Sequence, residues 1–346
     1  MTRLARRSLR RLVVGALLTL LGPACYAALE SAPNGPTAGS MPVGITSPIA
    51  DDAAHALWWG DFDRLEAQYR AVRQSTDLVD GGAPRLQWFR VGLARVFEED
   101  DATDPYYAQL EAMTQAWATA HATSPLAQLL YARALFARGQ ALRGGAYSRQ
   151  VPAAAMREFE RYLQLALDQL DSHADLLKDE STADVYMMMF GRWQGWKFDR
   201  LHALALDTLA RNASDGAGFA ELATASLPKW GGNPHRVDEV VREATRRIKP
   251  AAGMATYAYL YDDFESEFDG ELFSASEVDW PTMKRGFRDR MTRFPSQYAL
   301  NRFALEACLA QDRATTVELL DQIGPKPLQR AWGNRFESCR RWARSP

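Results

Sequence analysis

The sequence predicts an all-α protein, an irregular array of antiparallel helical hairpins, and three observations carry that expectation. Apolar residues recur in steps of three and four from Asp51 to the C-terminus. Short Gly, Pro and Asp breaks separate the stretches that carry them. Alternating runs rich in β-branched residues are missing, so essentially no sheet is expected.

The elements follow in order. Phe62, Leu65, Tyr69 and Val72 form one apolar stripe, Leu86, Phe89, Leu93 and Val96 the next, and Tyr106, Leu110, Met113 and Trp117 a third. The spacing recurs at Met156, Phe159, Leu163, Ala166 and Leu170, at Phe198, Leu201, Ala205 and Leu209, and at Val237, Val241, Ala244 and Ile248. Met283, Phe287, Met291 and Phe294 then lead through Pro295-Ser296 into a stripe of Leu300, Phe303, Ala304, Ala307 and Cys308. Each set places one apolar face on a helix, which must bury it against neighbours. Asp104-Pro105 and Ser124-Pro125 mark helix starts, because proline in the first turn lacks an N–H that would have no partner there. Gly60-Asp61, Gly144-Gly145, Gly231-Gly232 and Gln311-Asp312 fall between stripes and read as turns that fold successive helices back on each other.

The 346 residues, 47% of them hydrophobic, suffice for a large core. Forty-one Lys and Arg against 43 Asp and Glu leave a net charge of -2, which gives no electrostatic reason to expect a nucleic-acid partner. Arg3, Arg6, Arg7, Arg10 and Arg11 precede an apolar stretch from Leu12 to Leu21. That stretch is short of the roughly 20 residues a spanning helix needs, so residues 1–27 read as a signal peptide, with no transmembrane segment after its removal. Two alternatives stay open there: lipidation of Cys25, for which Gly22-Pro23-Ala24-Cys25 is a poor match, and a twin-arginine signal at Arg6-Arg7. Either way the expected location is periplasmic or secreted, or anchored through Cys25. Residues 28–50 are rich in Pro, Gly, Ser and Thr and read as a flexible leader. Residues 51–346 form the helical-repeat domain. Loss of Cys25 with the signal leaves Cys308 and Cys339, for which a disulfide is expected in an oxidising compartment; the alternative is two buried free thiols.

Two stretches carry a family resemblance. Leu227-Pro228-Lys229-Trp230-Gly231-Gly232-Asn233, and downstream Asn301-Arg302-Phe303-Ala304-Leu305-Glu306-Ala307-Cys308-Leu309-Ala310-Gln311-Asp312, with Arg138-Gly139 in the earlier half of the chain, resemble a bacterial helical family catalogued only as a domain of unknown function. Leu57-Trp58-Trp59-Gly60-Asp61-Phe62-Asp63-Arg64-Leu65 is similar to the hairpin corner of tetratricopeptide-type repeats. The resemblance covers roughly residues 55–345 and implies a tetratricopeptide-like fold with no assigned activity.

No catalytic or cofactor signature is present in the sequence: no His-Glu-x-x-His, Cys-x-x-Cys, Gly-x-Ser-x-Gly or phosphate-binding glycine loop. No catalytic residue, cofactor or metal is therefore assigned. His55, His121, His173, His202 and His235 are scattered singly. Lys229, Trp230 and Asn233 are the candidate ligand-binding residues, because a Trp between a Lys and a Gly pair would present a ring and backbone donors on a loop. In the competing reading Trp230 packs between hairpins and the glycines make the turn. Glu265, Glu267, Asp269 and Gly270 have part of a calcium-loop spacing, but the twelfth position is Ser276, which favours a solvated connector. The pairs Trp58/Trp59 and Trp193/Trp196 offer stacking platforms, with packing as the alternative. The functional expectation is an exported, non-catalytic module that binds a protein or peptide in a groove of the array. The alternatives are a glycan-acting enzyme using Asp262, Asp263, Glu265 or Glu267 as paired carboxylates, and a purely structural envelope protein.

Overall fold

The computed structural model describes residues 47–79, 82–98, 104–268 and 270–345. The signal peptide, the lipidation alternative at Cys25, the leader up to residue 46 and Asp269 lie outside the described residues. Within them the chain is helical almost throughout, in successive helices that fold back on one another. The helical region begins at Pro48, ahead of Asp51, and Ser47 and Ala50 are already buried. The single departure from all-helix is a pair of two-residue strands, β1 (Leu78–Val79) and β2 (Ala83–Pro84), paired antiparallel with Leu78 opposite Pro84. No helix among the described residues is long and apolar enough to cross a membrane.

The contacts divide the chain into two compact units, one holding residues 51–67 and 93–169, the other residues 47–50, 68–92 and 170–346. Into the first fall most of α1 (Pro48–Trp59), the start of α2 (Phe62–Val72), the end of α3 (Arg85–Phe97), α4 (Asp104–Ala120), α5 (Pro125–Arg143) and most of α6 (Ala153–Ser172). Helices α4 and α5 pack along each other, and the break between them is built as the sequence suggests. Ser124 caps α5 by accepting from the Ala127 N–H at 3.0 Å, with Pro125 in the first turn. The Phe62 ring stacks on Trp117 with centroids 4.2 Å apart. Gly139 sits where a Cβ would lie 2.8 Å from the Cβ of Tyr162, so a side chain there would push α6 off α5.

The second unit continues through α7 (Ala174–Leu177), α8 (Ser181–Trp193), α9 (Phe198–Arg211), α10 (Ala217–Ala225), α11 (Pro234–Ala252) and α12 (Ala255–Phe264). It ends with α13 (Leu272–Ala275), α14 (Trp280–Arg293), α15 (Gln297–Leu309), α16 (Arg313–Ile323), α17 (Gln329–Trp332) and α18 (Phe336–Arg344). One core joins them, from Met188 through Phe219, Val241, Tyr261 and Phe287 to Trp332. The Arg90–Asp215 pair shows how a buried charge in this unit is matched, as burial demands. Arg90 holds Asp215 through two bonds of 2.8 Å, and both side chains are almost fully buried. Ser181 adds a third bond to Asp215 at 2.7 Å, which pins the start of α8.

The C-terminal motif is accounted for residue by residue. Asn301 Oδ1 accepts from the Leu328 N–H at 2.9 Å and from Trp332 Nε1 at 2.8 Å, tying α15 to α17. Arg302 donates to Asp262 at 2.7 Å and to Glu306 at 3.0 Å. Gln311 takes a left-handed φ of 58°, and Asp312 caps α16 through the Thr315 N–H. Cys308 and Cys339 form the expected disulfide, with Cα atoms 5.8 Å apart, fastening α15 to α18.

Candidate functional site

The segment from Ser226 to Asn233 connects α10 to α11 through one 3₁₀ turn, Pro228–Trp230. Gly231 closes that turn at a φ of 87°, a left-handed conformation that glycine adopts without penalty. Gly232 runs so close to the preceding chain that a Cβ on it would lie 1.9 Å from the Ser226 carbonyl oxygen. The two glycines therefore have separate reasons, one dihedral and one steric.

This turn forms one wall of a cleft of about 270 Å³ within the second unit. The opposite wall comes from the end of α8 and the α8–α9 connection, contributing Arg192, Gly195, Trp196 and Phe198. Trp196 is seated by Gly191, where a Cβ would meet its ring at 2.2 Å. Trp230 stands edge-on to Trp193, with centroids 4.7 Å apart. The Arg192 guanidinium lies 4.5 Å from the centre of the Trp230 ring, and that of Arg236 lies 4.4 Å from the centre of Phe198. Stacking of this kind orients a cation without neutralising it. Each arginine also meets one carboxylate, Arg192 through Nη2 on Glu221 at 3.3 Å and Arg236 through Nε on Glu239 at 3.1 Å. Among the described residues, no acidic side chain lines the cleft. The indole N–H of Trp230 and the Nε of Arg192 are buried with no hydrogen-bond partner among the described residues.

The three candidate binding residues end in different places. Trp230 is a half-buried wall of the cleft, and Asn233 lines it. Lys229 is not among the lining residues; its Nζ pairs with Glu267. The loop does not offer the backbone donors expected of it. The N–H groups of Trp230, Gly231 and Gly232 are spent on the carbonyls of Leu227, Pro228 and Leu227 within the turn itself, and Asn233 Oδ1 accepts from the Arg236 N–H to cap α11. Arg192, Trp196, Phe198 and Arg236 complete the site, and sequence reasoning singled out only Trp196 among them.

The carboxylates of the enzyme alternative are dispersed among separate partners. Asp262 is buried and bound to Arg302, with Arg290 at 3.6 Å. Glu265 pairs with Arg335 and Glu267 with Lys229. Asp263 is exposed, and none of the four lines the cleft. Glu306 is fully buried with one carboxylate oxygen unpartnered, and burial, followed by the neighbouring Asp262, holds its pKa well above the ordinary value. No cluster of three or more metal-type ligands is present among the described residues. A second, apolar slot of about 60 Å³ lies between β2 and α12, lined by Leu78, Ile248 and Leu260 with Gln87 at its edge.

No family model matches this chain, and no curated protein or solved structure matches it. The resemblance to the tetratricopeptide-like bacterial family rests on its motifs.

Proposed function

We propose that the protein is an exported helical-repeat module that binds a protein or peptide without catalysing a reaction on it, and that the Trp230 cleft is its binding surface. The observation that carries this reading is the composition of the cleft: three aromatic side chains, two oriented arginines and no carboxylate. Such a surface recognises a ligand by contact area and charge. It holds no acid or base placed to move a proton. The acids considered for catalysis are paired with arginines or a lysine, or exposed, and none of them lines the cleft. Export to the periplasm or beyond, with the lipid anchor at Cys25 as the variant form, draws support from the Cys308–Cys339 disulfide, since such bonds persist in oxidising compartments. Membership of the family of unknown function belongs to the same proposal.

The test is capture from envelope extract on immobilised residues 28–346, wild type beside Trp230→Ala, with bound material quantified by mass spectrometry. A protein enriched reproducibly on the wild type and lost on the variant supports the reading. Recovery of glycan fragments alone, or of nothing, overturns it in favour of the enzymatic or structural alternatives.

A further inference from the structure

We infer that the cleft recognises a carboxylate, presented by a peptide next to an apolar or aromatic residue. The inference rests on the binding reading above and gives that site its ligand chemistry. Among the described residues, Arg192 and Arg236 are the charged side chains lining the cleft. Both are held on aromatic faces, which fixes their direction while leaving charge to be met by a ligand. Arg236 engages Glu239 through Nε at 3.1 Å, a contact within α11 itself. Arg192 engages Glu221 only at 3.3 Å, through one Nη, while its Nε is orphaned. Beside it the Trp230 N–H is a second orphaned donor.

A buried donor without an acceptor is unfavourable, and an arriving acceptor relieves that condition after a small rotation of the side chain. Donors alone would suit any anion. Trp196, Phe198 and Trp230 beside them add flat apolar area, which suits the side chain adjacent to a peptide carboxylate and gives a small inorganic ion nothing to touch. Glu221 and Glu239, the two acids facing the arginines, lie outside the lining and act as placeholders that an incoming carboxylate displaces or shares.

Isothermal titration of residues 28–346 with three peptides tests this. The first is acetyl-Gly-Leu-Phe with a free C-terminal carboxylate, the second the same peptide as its C-terminal amide, and the third acetyl-Gly-Asp-Phe amide, whose carboxylate is on a side chain. At least one acid should bind at least about tenfold more tightly than the neutral amide. The tighter of the two acids identifies the source as chain terminus or acidic side chain. Arg236→Gln, at a half-buried position and checked for native circular dichroism, should remove about tenfold from acid binding and leave the amide unaffected. Equal binding of acid and amide overturns the inference, as does failure of both acids to bind a protein with native circular dichroism. If the acids fail while Trp230→Ala still abolishes partner capture, the carboxylate inference falls and the binding reading stands. If capture is also unaffected, both fall.

Discussion

Arg90 and Asp215 meet in the interior of the second unit, and neither could be there without the other. An isolated charge at such a depth is strongly unfavourable, whereas a bidentate pair with Ser181 and Thr182 satisfying the remaining positions is tolerated. Arg90→Met therefore leaves Asp215 buried without its counter-charge, and urea unfolding should show a loss of about 3–5 kcal/mol. Glu306 behaves differently. Its pKa is raised by burial first and by Asp262 second, so the folded state favours the protonated form. The stability it contributes is fully present below the unfolded value of about 4.5 and declines as pH rises above it. Glu306→Gln removes that titration. Its stability relative to wild type should rise as pH increases above about 4.5, by up to about 1.4 kcal/mol per pH unit, in parallel urea titrations. A difference independent of pH would show that Glu306 is ionised in the fold. Asp312 has the opposite sign: bonds from Lys284, Trp280 and Thr315 hold its carboxyl below the usual range against a burial effect that works the other way. Its contribution is present above pH 4 and is lost on acidification, and Asp312→Ala should cost about 1–2 kcal/mol at pH 7 through the lost cap and the lost charge-assisted bonds.

At the scale of elements, the helices were legible and the partners of their polar residues were not. Stripes such as Leu86, Phe89, Leu93 and Val96 are buried as a period of three and four requires. Ser124-Pro125 starts a helix where capping chemistry places it. The Cys308–Cys339 bond also followed from counting, and thiol titration of the denatured, unreduced chain without residues 1–27 should find no free thiol. Closing a loop of 31 residues stabilises by about 3.5 kcal/mol on the chain-entropy account, so reduction should lower the unfolding midpoint with the helical signal kept at moderate temperature. What no periodicity reveals is a pairing across 125 positions, such as Arg90 with Asp215. The Pro228–Asn233 turn was recognisable from its glycines, but the use of its backbone donors was not. Those N–H groups are absorbed because the turn closes on itself, and Gly232→Ala, which forces a Cβ onto the Ser226 carbonyl, should open the cleft and weaken partner capture.

For the whole molecule, a helical array can be read from sequence because each helix announces its own buried face. A binding site in such an array cannot, because it is assembled from connections far apart in the chain. Trp230 and Asn233 come from one connection, whereas Arg192 comes from the end of α8, Trp196 from the α8–α9 connection and Phe198 from the start of α9, and nothing in the spacing of either group points to its counterpart. The arginines were the least legible, since arginine on a helix ordinarily faces solvent. They acquire meaning only from the rings beneath them and from a cleft lining that, among the described residues, holds no carboxylate. The measurement that tests this account most directly is amide hydrogen exchange of the protein with and without its captured partner. Slowed exchange is predicted at the end of α8, at the α8–α9 connection and from Ser226 to Arg236, with the rest of the second unit unchanged. Protection confined to other helices, with these segments exchanging as in the free protein, would contradict it.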